Sequence, residues 1–251
     1  MSASGGIVVE NVSRAYRGSR GEAVPALADV SLRAARGELV AVVGPSGCGK
    51  TTLLELVCRL QCPDSGSIAS APAALMAQSD MLLPWFDAVE NAALALRIAG
   101  HARGRARERA SALFGELGLE GFQGARPSEL SGGMRQRVAF LRTLLSGKEV
   151  LCLDEPFGAL DAITRGEMQQ WLGRALQREP RTVLLVTHDV EEAVLLADRL
   201  VVLSGRPGRV TAELEIDIPR PRSATDSAVI TLRQRALRSL ALSARVEEAP
   251  A

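Results

Sequence analysis

Residues 44–51 read Gly-Pro-Ser-Gly-Cys-Gly-Lys-Thr, and they stand between the apolar run Leu39–Val43 and a helical pattern over residues 52–60. Few folds accommodate that order. Gly44, Gly47 and Gly49 let the backbone curl until its N–H groups point inward, and the helix that follows adds the positive end of its dipole. Strand, loop and helix together form a cradle for phosphate. Lys50 then supplies a point charge for β- and γ-phosphate oxygens, and the Thr51 hydroxyl suits Mg²⁺, a hard cation that keeps waters and takes few protein ligands. The plainer reading, a glycine-rich turn with a solvated lysine, leaves the flanking strand and helix unexplained.

Two further apolar runs, residues 150–153 and 182–186, end in polar residues as the first one does. Continuous apolarity predicts strands buried on both faces. Helical patterns lie between them, clearest over 105–117, where Ala106, Ala110, Leu113, Phe114 and Leu117 share a face. The alternation predicts an α/β fold with a mostly parallel sheet, and the phosphate loop at residues 44–51 makes it a P-loop NTPase core. Residues 7–12 and 30–32, joined across a Gly/Arg-rich loop at 17–22, predict an N-terminal antiparallel β layer. Residues 84–145 read almost wholly as helix, broken at 118–124 and at Pro127, and predict an inserted helical subdomain. After strand-like runs at 199–203 and 210–216 come Pro219 and Pro221, an amphipathic helix over 227–242 and an end without pattern. Residues 1–251 are thus expected to form one domain, with 220–251 as a C-terminal helix and tail.

Composition excludes several classes. A chain of 251 residues buries a core without disulfides. Lys plus Arg number 30 against 29 acidic residues, a net charge of +1, which gives nucleic acid little support as a partner. Apolar residues reach 47%, but no run approaches the roughly 20 needed to cross a bilayer. Residues 1–6 are small and polar and Glu10 soon follows, so neither part of a signal peptide is present and a cytoplasmic location is expected. Cys48, Cys58, Cys62 and Cys152 lack paired metal-ligand spacing, which predicts reduced thiols and no zinc. Only Lys50 and Lys148 are lysines; the rest of the 30 lysine and arginine residues are arginine.

Three more constellations carry chemistry. Asp154 and Glu155 close the run 150–153, at the sheet edge where the phosphate loop also ends. Asp154 fits an outer-sphere Mg²⁺ partner, and Glu155, pointing elsewhere, fits a base that polarises a water attacking the γ-phosphate. Without a phosphate loop the pair would read as an acidic strand end at Pro156. His188 follows the run 182–186 at a third strand end, where imidazole can donate to phosphate through one nitrogen and face a carboxylate with the other. A lone histidine is more often structural, and His101 receives no role. In Leu130-Ser131-Gly132-Gly133-Met134-Arg135-Gln136-Arg137, Ser131 is a good N-cap and two glycines open a helical pattern over 134–145, making a second anion-binding helix start. Two cradles mean either two ligands or one ligand shared between two chains. The basic run Arg103, Arg105, Arg107, Arg109, at spacing two, winds around a helix and reads as a solvated face.

In their order and spacing, the phosphate loop, LSGGMRQR, LCLDEP, Gly158-Ala159-Leu160-Asp161 and Thr187-His188-Asp189 resemble an ABC transporter ATPase subunit over residues 7–216. The LSGG element makes that resemblance far more specific than the phosphate loop alone. It implies a head-to-tail dimer that sandwiches two ATP molecules, the phosphate loop with Thr52 of one chain facing Ser131, Gly132 and Gly133 of the other. It implies that Tyr16 stacks on adenine, although an ordinary strand-end aromatic is the competing reading. Gln78 matches the glutamine that reaches Mg²⁺ and the attacking water, and Asp161 the loop that couples the two sites. The stretch 62–76 is shorter than usual, Ala77 replaces a bulkier residue before Gln78, and Lys148 replaces a frequent proline. Leu82-Leu83-Pro84-Trp85, Phe157 to Asp161 and Ser204 to Val210 resemble the importers of nitrate, sulfonate, taurine and a thiamine pyrimidine precursor. Such a chain is expected at the cytoplasmic face of the membrane, with a second ATPase subunit, a separate permease and, indirectly, an extracytoplasmic binding protein. Leu82, Leu83, Trp85 and Phe86 would offer the groove for a permease helix. A soluble ATPase of the same family acting on nucleic acid or ribosomes is the alternative, though it usually adds coiled coils or a second cassette. A small-molecule kinase ranks last because it leaves LSGG unexplained.

Overall fold

A computed structural model describes residues 5–19 and 21–245. Strands β1 (Ile7–Arg17) and β2 (Ala23–Ala34) pair antiparallel, with register shifts between Val9 and Ala15 that twist the ribbon. Both run well beyond the expected 7–12 and 30–32. Next come β3 (Leu39–Val43), α1 (Lys50–Val57), β4 (Ser65–Ser70) and β5 (Ala73–Met76). Helices α2 (Ala88–Ile98), α3 (Arg103–Ser111) and α4 (Gly132–Leu144) follow, then β6 (Val150–Asp154), α5 (Ala162–Arg178), β7 (Thr182–Thr187) and α6 (Val190–Leu196). Strands β8 (Arg199–Leu203) and β9 (Val210–Glu215) precede α7 (Ser227–Arg245). The expected tail beyond residue 245 lies outside the described residues.

The main sheet has the order β5-β6-β7-β3-β8-β9, parallel except for the antiparallel β8–β9 pair, and β4 joins the small sheet beside β1. Alternate strand residues feed two cores. Leu39, Ala41, Val43, Leu151, Leu153, Val183 and Leu185 face the layer of helices α2 to α7, while Val40, Val42, Val150, Cys152, Leu184 and Val186 face α1 and the antiparallel sheet. Burial on both faces is why these strands read as unbroken apolar runs. The order also places the C-terminal ends of β3, β6 and β7 side by side, and each of the three nucleotide-type motifs begins where one of these strands stops.

The helix expected over 105–117 is shorter than its apolar stripe. Regular α-helix ends at Ser111, and a 3-10 turn, Gly115–Leu117, carries the chain to Gly118 at φ +60°. Ala106, Ala110, Phe114 and Leu117 are all buried nonetheless. The basic run is not simply a solvated face: Arg107 pairs with Asp87 at 2.9 Å, and Arg103 pairs with Glu90, both carboxylates lying at the start of α2.

Candidate functional site

A cavity of about 540 Å³ opens at the sheet edge, lined by Tyr16, Arg17, Ser46, Gly47, Gly49, Lys50, Thr51, Thr52, Gln78, Asp154, Glu155 and Arg206, among others. Gly49, at φ +97°, is the N-cap of α1 and brings no capping side chain, so the first-turn N–H groups are left to a ligand. A Cβ at Gly49 would stand 2.7 Å from the Ala26 carbonyl oxygen, a second reason for glycine there. Lys50, 7% exposed, spans the loop and donates from Nζ to the carbonyls of Gly44 at 2.8 Å and Pro45 at 2.9 Å. Gly44, Pro45 and the buried Cys48 stand behind the lining residues; burial pushes the Cys48 thiol up.

Thr51 Oγ1 donates to Asp154 Oδ2 at 2.7 Å on the cavity floor. Asp154 is almost wholly buried, which raises its carboxyl above the usual range, and the Thr51 hydroxyl bond opposes that shift. These hard oxygens, with the Gln78 amide nearby, fit Mg²⁺. Among the described residues no group of three or more His, Cys, Asp or Glu side chains gathers to hold a metal, so a cation here would complete its shell with phosphate oxygens and water.

Glu155 follows directly, at φ +47°, a left-handed conformation that its surroundings enforce. Its N–H donates to Val186 O at 2.8 Å, and its carbonyl accepts from Gly158 N at 3.1 Å and Gln136 Nε2 at 3.1 Å. The carboxylate is thereby aimed between two partners: His188 Nδ1 lies 3.1 Å from Oε1, and Gln78 Nε2 donates to Oε2 at 3.3 Å. Three strand ends and the β5 loop thus bring Lys50, Thr51, Gln78, Asp154, Glu155 and His188 together. Tyr16, 38% exposed, is tied to Thr52 by a 3.1 Å hydroxyl contact, and the Arg14 guanidinium lies 5.3 Å from its ring centre.

The second helix start stands apart. Ser131 Oγ accepts from Met134 N at 3.2 Å and caps α4, which begins at Gly132, two residues before the expected position. Ser131, Gly132 and Gly133 do not line the cavity of their own chain. Nor does Asp161, whose carboxylate caps α5 by accepting from the backbone of Ile163 and Thr164 at 3.1 Å each and from Thr164 Oγ1 at 2.7 Å. In the stretch expected to be exposed, Trp85 is 64% exposed, whereas Leu82, Leu83 and Phe86 are half-buried and Leu82 packs on the core. Helix α4 holds this stretch from below: Arg135 Nε donates to Asp80 at 2.9 Å, and Arg142 donates to the Asp80 and Met81 carbonyls at 2.7 and 2.8 Å.

Three residues at the site carry no sequence signal of their own. Gln136 is a buried polar side chain in an Arg-rich helix turn, and Arg206 belongs to a distant hairpin. Glu192, on the first turn of α6, is 4% exposed with Oε1 unpartnered; burial first, and then Asp189, push its carboxyl up to about 8.

A profile described as ABC transporter matches residues 27–158. The aliphatic sulfonates import ATP-binding protein of Rhodococcus jostii is 45% identical over 221 residues, covering 85% of this chain and 86% of its own. The formylaminopyrimidine import ATP-binding protein of Halalkalibacterium halodurans is 41% identical over 225 residues, covering 88% and 89%. Among solved structures, a dimeric post-hydrolysis ATP-binding cassette bound to ADP and phosphate superposes with a TM-score of 0.78 at 28% identity, covering 85% of this chain and all of that one.

Proposed function

The chain belongs to the ABC transporter family, and on that premise we propose that it binds and hydrolyses ATP to drive import through a separate membrane permease, in the group that takes up sulfonate, taurine, nitrate or a thiamine precursor. The observation that carries the chemistry is Glu155, fixed by its backbone and held between His188 and Gln78 beside the Thr51–Asp154 bond. In this reading Glu155 polarises the attacking water, Gln78 orients it, and His188 steadies the γ-phosphate. The N–H groups of residues 44–52 and Lys50 hold the phosphates, and Tyr16 supplies a ring for the base. Thr51, Asp154 and Gln78 would hold Mg²⁺, which when bound would neutralise charge on the phosphates. Phosphoryl transfer needs positioning and charge more than covalent steps, and these residues provide both.

Residues 84–145 act as the helical subdomain of a single ATPase domain. Ser131, Gly132, Gly133 and Asp161, outside their own chain's cavity, serve the nucleotide of an identical second subunit arranged head to tail. The exposed Trp85, with Met81 66% exposed beside it, offers the permease contact. No helix among the described residues is long and apolar enough to cross a membrane, and the subunit is assigned to the cytoplasmic face, linked through its permease to an extracytoplasmic binding protein. The nucleic-acid alternative is not favoured, because Arg103 and Arg107, half of its one basic cluster, are paired with Asp87 and Glu90.

Glu155→Gln tests the assignment. Phosphate release should fall by about a hundredfold or more while ATP binding persists, and Lys50→Ala should lose binding itself. Undiminished phosphate release from Glu155→Gln would overturn the role given to Glu155.

A further inference from the structure

One cation enters the nucleotide cavity from an element outside all of the motifs above. Arg206 stands on the turn between β8 and β9, in the stretch 204–210 that in sequence marks only a resemblance to a subgroup. The turn is internally braced: Ser204 N donates to Arg209 O at 2.9 Å, and the Ser204 hydroxyl accepts from Arg209 N at 2.9 Å and donates to Pro207 O at 3.1 Å. It is also docked on β2, since Gly208 N donates to Ala26 O at 2.9 Å and Gly208 O accepts from Ala28 N at 3.0 Å. A Cβ on Gly208 would stand 2.1 Å from Cys48 O, so the turn lies against the back of the phosphate loop at a distance only glycine permits.

From this platform Arg206 Nε donates to Gly47 O at 3.1 Å, and the same side chain lines the cavity. Among the described residues no carboxylate pairs with it. Lys50, the motif's own cation, has its Nζ on two loop carbonyls. A guanidinium has five donors in a fixed plane; with Nε committed to Gly47, the two terminal nitrogens remain, and their fork matches two oxygens of a phosphate. The hydrogen bond to Gly47 also fixes the fork in advance, which lowers the entropy lost on binding.

We propose that Arg206 is a nucleotide-binding residue that clamps the phosphate chain from the rim of the loop, anchored through Nε on the Gly47 carbonyl. The proposal rests on the reading of the cavity as an ATP site. It is tested on the full chain by displacing a fluorescent ATP analogue with ATP and with ADP. Arg206→Ala should weaken both by about tenfold, the loss expected for a charge-assisted hydrogen bond. Arg206→Lys should lose nearly as much, because one ammonium cannot hold Gly47 and present a planar fork together. Arg17→Ala, which removes a cation from the same rim without a loop contact, should lose less. A urea midpoint measured without nucleotide verifies folding, and Arg206→Gln replaces the alanine variant if that midpoint falls. Wild-type affinity in Arg206→Ala, full rescue by lysine, or an equal loss in Arg17→Ala would each overturn the clamp. Lys50→Ala, assayed in parallel, separates the two failures: if it loses binding while Arg206→Ala keeps it, only the clamp is wrong, and if it too binds normally, the ATP site is wrong.

Discussion

Glu155 shows how a single strained residue is maintained. A left-handed φ costs a non-glycine residue about 1–2 kcal/mol, and three hydrogen bonds to its backbone, one of them from the Gln136 side chain, hold it there. Gln136→Ala removes one of these and loosens the backbone that aims the carboxylate. We expect single-turnover hydrolysis to slow by about tenfold while ATP affinity changes little; an unchanged rate would show that the other two bonds suffice. Glu192 makes a second prediction at this scale. With its carboxyl at about 8 against an ordinary 4.5, the folded chain keeps a proton between those values that the unfolded chain has released. Its contribution to stability is therefore complete below 4.5, declines as pH rises and is lost past about 8, by a few kcal/mol at most. Urea unfolding at pH 5.5 and 8 should show a smaller decline for Glu192→Gln than for wild type, and equal declines would refute the shift. Lys50, Thr51, Asp154 and Glu155 were legible in sequence because one local motif fixes each of them. Gln136, Glu192 and Arg206 were not, because a polar side chain takes its meaning from partners that only the fold supplies.

At the scale of elements, capping explains residues whose sequence reading was more ambitious. Asp161 uses both carboxylate oxygens at the start of α5. Asp161→Ala should lower the urea midpoint and Asp161→Ser should lower it much less. If activity falls in both variants alike, the carboxylate has a role beyond the cap; if activity falls only where stability falls, the cap is sufficient. Arg222 does the complementary work at the other end of α6, donating to the carbonyls of Val194 at 2.8 Å and Ala197 at 2.5 Å, and burial pulls its guanidinium down to about 10. Strands β3, β6 and β7 were legible because burial on both faces leaves unbroken apolar runs. Strand β4, Ser-Gly-Ser-Ile-Ala-Ser, was not: it pairs only with β1 and buries no residue fully. The stripe over 105–117 gave the buried face correctly and the helix length wrongly, because a 3-10 turn continues the same face past Ser111.

For the molecule as a whole, the two cradles lie on different elements, and neither completes the other within one chain. Ser131→Arg and Lys50→Ala, each inactive alone, should restore activity when mixed one to one, to about a quarter of the wild-type rate, the statistical share of intact sites in a symmetric dimer. A colorimetric phosphate assay over a range of mixing ratios measures this, and no recovery at any ratio would argue against sites shared between chains. Helix α4 unites these distant places. It carries Ser131 at its start, bonds the Glu155 carbonyl through Gln136 near its middle, and through Arg135 and Arg142 grips the segment leading to Trp85. Its 13 residues make a rod about 20 Å long. On a rod so attached, a push on the Trp85 side would bear at once on the carbonyl behind Glu155 and on Ser131, so that force would become chemistry by leverage, with no messenger passing between them.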